Sequence, residues 1–185
     1  MYNLAAATTW QPFAGPLYKW LDNRATHAPD SPWFALGRFG EGAHKTLYLA
    51  ESPRGAIAEF LRRHPEFLQF QNDLNITVYE ILTAVGCECL DVRREALSEA
   101  IGFPHERLAS SERDEAVRYV ECRALGAAVA DSELCGIAYP SAGATWVTWN
   151  LVLFGDANQL GRWQVVSCRP VSRPTLSPSG VRALR

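Results

Sequence analysis

"GRFGEGAHKTLYLAESPRGAIAEF", Gly37–Phe60, sets a compact strand against a sharply marked helix. Thr46–Ala50, "TLYLA", reads as a compact strand. Ser52 is a natural N-cap, because its hydroxyl can accept one of the unpaired N–H groups of a helix start. Pro53 suits the first helical position, having no N–H to lose. Arg62, Arg63 and His64 suit the negative end of the helix dipole, and Pro65 marks the stop. The stretch therefore predicts a strand that leads into a well-marked helix.

The same reading extends outward. "PLYKWLDN" is a first strand. "THAPDSPW" is loop, punctuated by Pro29 and Pro32. "NITVYEILT" alternates and is rich in β-branched residues, as a half-buried strand should be. "CECLDV" is a shorter strand and "RREALSEAIG" a short helix. "SSERDEAVRYVECRALGAAVADS" is the longest helix, with Ser111 before an acidic first turn (Glu112 to Glu115). Val117, Val120, Leu125 and Ala128 are its expected apolar stripe. "CGIAYPS", "WVTWNLVLF" and "RWQVVSCRP" are three late strands. Strands and helices mix without a repeating βαβ rhythm. That predicts a single α+β domain with a mixed sheet over residues 17–170, an irregular lead-in over 1–16 and a loosely ordered tail over 171–185.

At 185 residues the chain is long enough for one sizeable core, and two would be cramped. A formal charge of −2 argues against nucleic-acid binding through overall charge. No apolar run reaches the length that spans a bilayer. "MYNLAAATTWQPF" lacks the basic and apolar pattern of a signal peptide, so the expected location is the cytoplasm. Five cysteines, an odd number, make no disulfide framework. Cys87 and Cys89 share a strand face, but no second pair completes a metal site. These two and Cys122, Cys135 and Cys168 are expected as reduced, mostly buried thiols, with no metal.

Taken alone, the opening stretch also fits a charged surface helix. Glu59 precedes Arg62 by three residues and Arg63 by four, a spacing for surface ion pairs worth a few tenths of a kcal/mol. Arg38 fits a solvated loop, and Tyr48 a core or edge position. Trp146, Trp149 and Trp163 read as core or interface. Asp91 reads as structural, and Asn150 equally as a buried strand amide.

A second stretch, "GIAYPSAGATWVTWNLVLF" (Gly136–Phe154), alters this balance. The two together resemble the RES-domain family, toxins of Xre–RES bacterial toxin–antitoxin systems. Gly37-Arg38-Phe39 matches its G-R-[WF] turn. Tyr48 matches its strand tyrosine, and Ser52-Pro53 to Glu59 its "S-P-x-x-A-x-x-E" helix start. Pro140-Ser141-Ala142 and Asn150 match its later "P-S-A" and strand asparagine. The likeness covers roughly Leu17 to Val166, with a middle longer than in the shortest members. Two positions depart. Lys19 stands where an arginine is usual, keeping charge but losing a two-pronged grip on phosphate. Phe39 replaces the commoner tryptophan.

The resemblance implies an ADP-ribosyltransferase-like fold, with a mixed, mainly antiparallel sheet flanked by helices. It implies that NAD is consumed as a substrate, with no other cofactor. On that reading Arg38, Glu59 and Ser141 are catalytic, and Lys19, Arg38, Tyr48, Ser141 and Asn150 bind NAD. Cleaving the nicotinamide–ribose bond builds positive charge on the ribose, which a carboxylate stabilises. Arg38 and Lys19 suit the two phosphates, and Tyr48 offers a ring face to nicotinamide or ribose. The implied partner is a helix-turn-helix, Xre-like antitoxin, with no direct nucleic-acid or membrane contact. Modification of a host protein by ADP-ribose and a catalytically inactive interaction module are the alternatives. No G-x-G-x-x-G follows a strand, against a dinucleotide-recycling fold. Ser141 lies outside any G-x-S-x-G, against a serine hydrolase.

Overall fold

The extended stretches join edge to edge in one sheet. The computed structural model describes residues 2–7, 9–10, 16–25, 28–29, 37–40, 42–68, 75–84, 88–109, 119–142, 149–155 and 162–171. Its strands are β1 (Thr9–Trp10), β2 (Pro16–Asp22), β3 (Thr46–Ala50), β4 (Ile76–Ala84), β5 (Cys89–Asp91), β6 (Gly136–Pro140), β7 (Trp149–Phe154) and β8 (Arg162–Pro170). They lie in the order β1-β5-β6-β7-β3-β2-β4-β8. β5 and β6 are parallel, and every other neighbouring pair is antiparallel. The expected α+β domain with a mixed, mainly antiparallel sheet is what the chain forms.

Three α-helices accompany the sheet among the described residues: α1 (Pro53–Arg63), α2 (Glu95–Ala100) and α3 (Val120–Ala130). α1 starts as its sequence dictates, with Ser52 Oγ accepting from Gly55 N at 3.0 Å. In α3 the apolar stripe is rephased. Cys122, Leu125, Gly126 and Val129 are buried, at the i, i+3, i+4, i+7 spacing of one helix face. Val120 is 57% exposed, contrary to expectation. The expected stripe took large apolar residues for the core, whereas the buried face is set by a cysteine and a glycine that let the helix sit close. Ser111, Glu112 to Glu115, Val117, Cys87, Trp146 and residues 172–185 lie outside the described residues. Thr9–Trp10, from the lead-in, pair with β5. Cys89 and Cys122 are free and buried, and Cys168 is free but exposed. Cys135 is disulfide-bonded, which corrects the expectation of reduced thiols throughout.

The sheet is almost two. β2 matches β4 over its whole length, from Pro16↔Leu82 to Asp22↔Ile76. β3 matches β7 from Thr46↔Phe154 to Ala50↔Asn150. Between β2 and β3 only Tyr18↔Ala50 is in register. Alternation sends successive side chains to opposite faces, and each face has its own core. One face carries Leu90, Ile137, Tyr139, Val152 and Phe154 against Phe103, Leu108, Cys122, Leu125 and Val129. The other joins the two halves through Leu17 and Ile81 against Leu47, Leu49, Leu151 and Leu153. Each such side chain stabilises the fold by about 1.5–3 kcal/mol when fully buried. The halves are thus fixed to each other by apolar contact while their strand edges diverge.

Candidate active site

α1 lies over the junction of the halves. Ala56 and Phe60 are buried under it, and Glu59, three residues after Ala56, shares that inner face. β7 brings Asn150 beneath the helix, opposite Ala50 on one side and Tyr139 on the other. The end of β6 brings Ser141. Both donate to one carboxylate oxygen: Ser141 Oγ to Glu59 Oε1 at 2.8 Å and Asn150 Nδ2 to the same atom at 2.9 Å. Arg62 Nε, one turn along α1, donates to Oε2 at 3.1 Å. Residues more than eighty positions apart therefore converge on one carboxylate.

Burial alone pushes the Glu59 carboxyl up. The Arg62 charge, the hydrogen bonds from Ser141 and Asn150, and the Arg38 charge outweigh it, so the pKa falls below the ordinary 4.5. Glu59 is thus an anion at neutral pH. It is suited to holding a hydroxyl and stabilising positive charge, and unsuited to donating a proton.

Arg38 comes from a turn clamped on several sides. Gly37 N donates to Gly40 O at 3.0 Å. Phe39 N donates to the Tyr48 hydroxyl at 3.1 Å, and Arg123 Nε donates to Gly37 O at 3.2 Å. A Cβ at Gly126 would come within 2.1 Å of Phe39 O, and one at Gly37 within 2.6 Å of the Tyr48 oxygen. Both glycines are there for close approach. The Arg38 guanidinium lies over the Tyr119 ring at 5.2 Å and the Tyr139 ring at 5.9 Å. Arg38 is only 4% exposed, yet among the described residues its Nη1 has no hydrogen-bond partner; Asn150 Oδ1 is a second such atom. Buried polar groups are rarely left so, because each costs about 1–3 kcal/mol. Two of them beside one carboxylate point to a ligand site.

A cavity of about 300 Å³ opens where β2 leaves β3. Among the described residues its lining carries four cations, Lys19, Arg38, Arg62 and Arg63, against two carboxylates, Asp22 and Glu59. The chain is net negative and this cleft is net positive, so the cleft favours an anionic ligand. Its aromatic lining is Tyr18, Trp20, Tyr48, Tyr119 and Tyr139.

Five of the residues singled out from sequence, Lys19, Arg38, Tyr48, Glu59 and Asn150, line this one cavity. Ser141 is 0% exposed and reaches the cleft through the Glu59 carboxylate. Tyr48 spends its hydroxyl on the Arg38 turn, so it positions that turn. Arg62, Tyr119, Tyr139 and Trp20 were missed. For Arg62 the signal was present, one turn from Glu59, but its spacing is that of any surface pair. Tyr139, just before Pro140-Ser141, lay beside a motif that was noticed.

No curated protein matches the chain by sequence. Among solved structures it is similar to the crystal structure of the M. tuberculosis MbcT–MbcA toxin–antitoxin complex. The likeness has a TM-score of 0.70 and 18% identity, covering 93% of this chain and 90% of that one. Such identity speaks for the fold. Sequence speaks for the family: the match to the RES domain runs over residues 8–174, and the turn, helix and strands that build the cleft lie inside it, so this chain belongs to the RES-domain family.

Proposed function

We propose that this chain is the toxin of a toxin–antitoxin pair, that it cleaves the nicotinamide–ribose bond of NAD, and that a cognate antitoxin restrains it. Family membership supports the toxin reading. So does a fold shared nearly end to end with a chain of a toxin–antitoxin complex. The observation that carries the chemistry is the Glu59 carboxylate, buried, anionic and aimed by Ser141 and Asn150 into a cationic cleft.

When the C1′–N bond breaks, its electron pair leaves with nicotinamide and quenches the pyridinium charge. The ribose is left oxocarbenium-like. Glu59 stabilises that charge and can accept a ribose hydroxyl. Arg38, with a donor to spare, and Lys19 suit the two phosphates. An oxygen lone pair of water or phosphate then forms the new bond to C1′, and its proton passes to solvent. Glu59, already ionised, gives up no proton at any step.

Purified protein incubated with NAD, with and without phosphate, tests this by product separation. Free nicotinamide with ADP-ribose or its 1″-phosphate is expected. Label attached to protein would instead support ADP-ribose transfer to a host protein. Intact NAD would overturn the reading.

A further inference from the structure

The Asn150 amide has one allowed orientation. Glu59 is an anion, and a carboxylate accepts hydrogen bonds without donating any. The Asn150 atom that meets Glu59 Oε1 at 2.9 Å must therefore be the Nδ2 donor, which turns the Oδ1 acceptor away from it. Asn150 is 3% exposed, and among the described residues Oδ1 has no hydrogen-bond partner. Arg38 Nη1 is its counterpart, a buried donor with no partner among the described residues. Both residues line the same cavity. Both also stand beside Tyr139: Asn150 is its cross-strand partner, and the Arg38 guanidinium lies over its ring at 5.9 Å. One wall of the cleft thus offers one acceptor and one donor, each costly to leave unmet.

The pair restricts what can fill it. An ionised diphosphate accepts from Arg38 Nη1 but has no proton for Asn150 Oδ1. Placed here it would also stand against the Glu59 anion. A primary carboxamide carries a C=O acceptor and an N–H donor on one carbon. Its C=O suits Arg38 Nη1, and its NH2 suits Asn150 Oδ1. In NAD that group sits on the ring whose bond to ribose breaks, so it comes to the same end of the cleft as Glu59. We propose that Arg38 Nη1 and Asn150 Oδ1 together bind the carboxamide of the nicotinamide leaving group, and so select it from other pyridine bases. This rests on the NAD-cleaving reading. It narrows the part of Arg38: Nη1 meets the carboxamide, and the rest of the guanidinium, with Lys19, is left to the phosphates. Asn150 has two tasks, one for each end of its amide. Nδ2 aims the carboxylate, and Oδ1 holds the leaving group.

The test crosses two variants with two altered substrates. The acetylpyridine analogue of NAD keeps the C=O and has no N–H for Asn150. The thionicotinamide analogue keeps the NH2 and offers Arg38 a sulfur, a weaker acceptor. Each is compared with NAD by kcat/KM in the parent protein, in Asn150→Ala and in Arg38→Lys. Intrinsic differences in leaving-group reactivity are common to all three proteins and cancel in the ratios. Asn150→Ala also loses a donor to Glu59, which slows every substrate alike. The parent's preference for NAD over the acetylpyridine analogue is expected to shrink roughly tenfold in Asn150→Ala, as for one lost hydrogen bond, and to persist in Arg38→Lys. Its preference over the thio analogue should shrink in Arg38→Lys and persist in Asn150→Ala. Ratios that are the same in all three proteins overturn the inference, and are the result expected if a water molecule joins the two atoms. Calorimetry on the parent needs neither a variant nor turnover. Nicotinamide should bind roughly tenfold tighter than acetylpyridine, for the same hydrogen bond. Cleavage of NAD together with equal binding of the two bases removes this inference alone. A parent that leaves NAD intact removes the functional reading and this inference with it.

Discussion

Two carboxylates line the cleft among the described residues, and each is paired with a nearby arginine on its own segment. Asp22, at the end of β2, accepts from Arg24 N at 2.8 Å, from Arg24 Nε at 2.9 Å and from Arg24 Nη2 at 2.6 Å. Glu59 accepts from Arg62, Ser141 and Asn150. Hydrogen bonds from the Arg24 side chain and then from its backbone pull Asp22 down to about 2, whereas Glu59 is lowered against the opposing effect of its burial. A low pKa therefore does not by itself mark a site. What separates the two is where the donors come from. All three of Asp22's belong to one residue two positions along, so a local turn can supply them. Those of Glu59 among the described residues come from α1, from β7 and from the residue just after β6, so only the whole fold can supply them.

The Asp22 clasp recurs. At the end of β5, Asp91 accepts from Arg93 N at 3.0 Å, Arg93 Nε at 3.0 Å and Arg93 Nη2 at 2.8 Å. Asp91 is not in the cleft lining. Asp-x-Arg is thus a device for turning the chain out of a strand, used twice, and one copy happens to border the cavity.

The largest effect expected from this contrast is at Glu59. Glu59→Gln keeps size and helix propensity and removes the charge. NAD turnover should fall about a hundred- to a thousand-fold, as when a transition-state electrostatic contact is lost. A variant that turns over at the parent rate would return Glu59 to the role of a helix-surface residue. Asn150→Asp sharpens the point by placing a second carboxylate beside the first. Two like charges at that distance cannot both ionise easily, so the acid limb of the rate profile should move well above its parent position. An unmoved limb would show that Asn150 and Glu59 are not in contact during turnover.

Ser141→Ala should cost less. It removes one donor from Oε1 and leaves Asn150 in place. About tenfold in kcat is expected, with KM little changed, because Ser141 touches the carboxylate rather than the cleft. A rise in KM without loss of kcat would instead put Ser141 in direct contact with substrate.

How much of this was legible in the sequence follows the same division between local and distant. The start of α1 is written in two adjacent residues: Ser52 caps the helix and Pro53 takes its first position, as their chemistry predicts. Each strand of "TLYLA" type is set by its own pattern. The phase of α3 was misread because Gly126 is buried for the approach of Phe39, eighty-seven residues earlier, which no window along the chain records. The single-pair junction of β2 and β3 was equally invisible: Leu17, Leu47 and Ile81, which share one core cluster beside it, come from three strands distant in sequence. Arg38, Glu59, Ser141 and Asn150 were found through a family pattern. Their spacing alone left the surface-helix reading open, and that reading named a true contact, Glu59 with Arg62, without its surroundings.

The pH dependence separates the two carboxylates further. Glu59 has a folded-state pKa below its ordinary value, so its ionisation favours the fold above pH 4.5 and that contribution is lost as pH falls through the lowered value. kcat/KM, which reports the free protein, should therefore show no Glu59 limb between about pH 5 and 8. A kcat/KM limb near neutrality that disappears in Glu59→Gln would mean that Glu59 carries a proton in the free protein.

The smallest effect is expected at Asp22. Its pKa is depressed in the folded state, so the clasp favours the fold above pH 3.8 and is lost as pH falls through about 2. Asp22→Asn should therefore flatten the acid end of the melting-temperature profile and do little at neutral pH, where solvent screens a pair whose arginine is 79% exposed. Turnover and KM should stay at parent values, although Asp22 borders the same cavity. Asp91→Asn, out of the cleft, serves as the matched control, since it breaks the same clasp on another strand. If Asp22→Asn and Asp91→Asn both leave catalysis untouched, the clasp is a strand-end device wherever it occurs. If Asp22→Asn alone raises KM, the mouth of the cleft reads its ligand through Asp22, and the division between a local carboxylate and a fold-made one has been drawn in the wrong place.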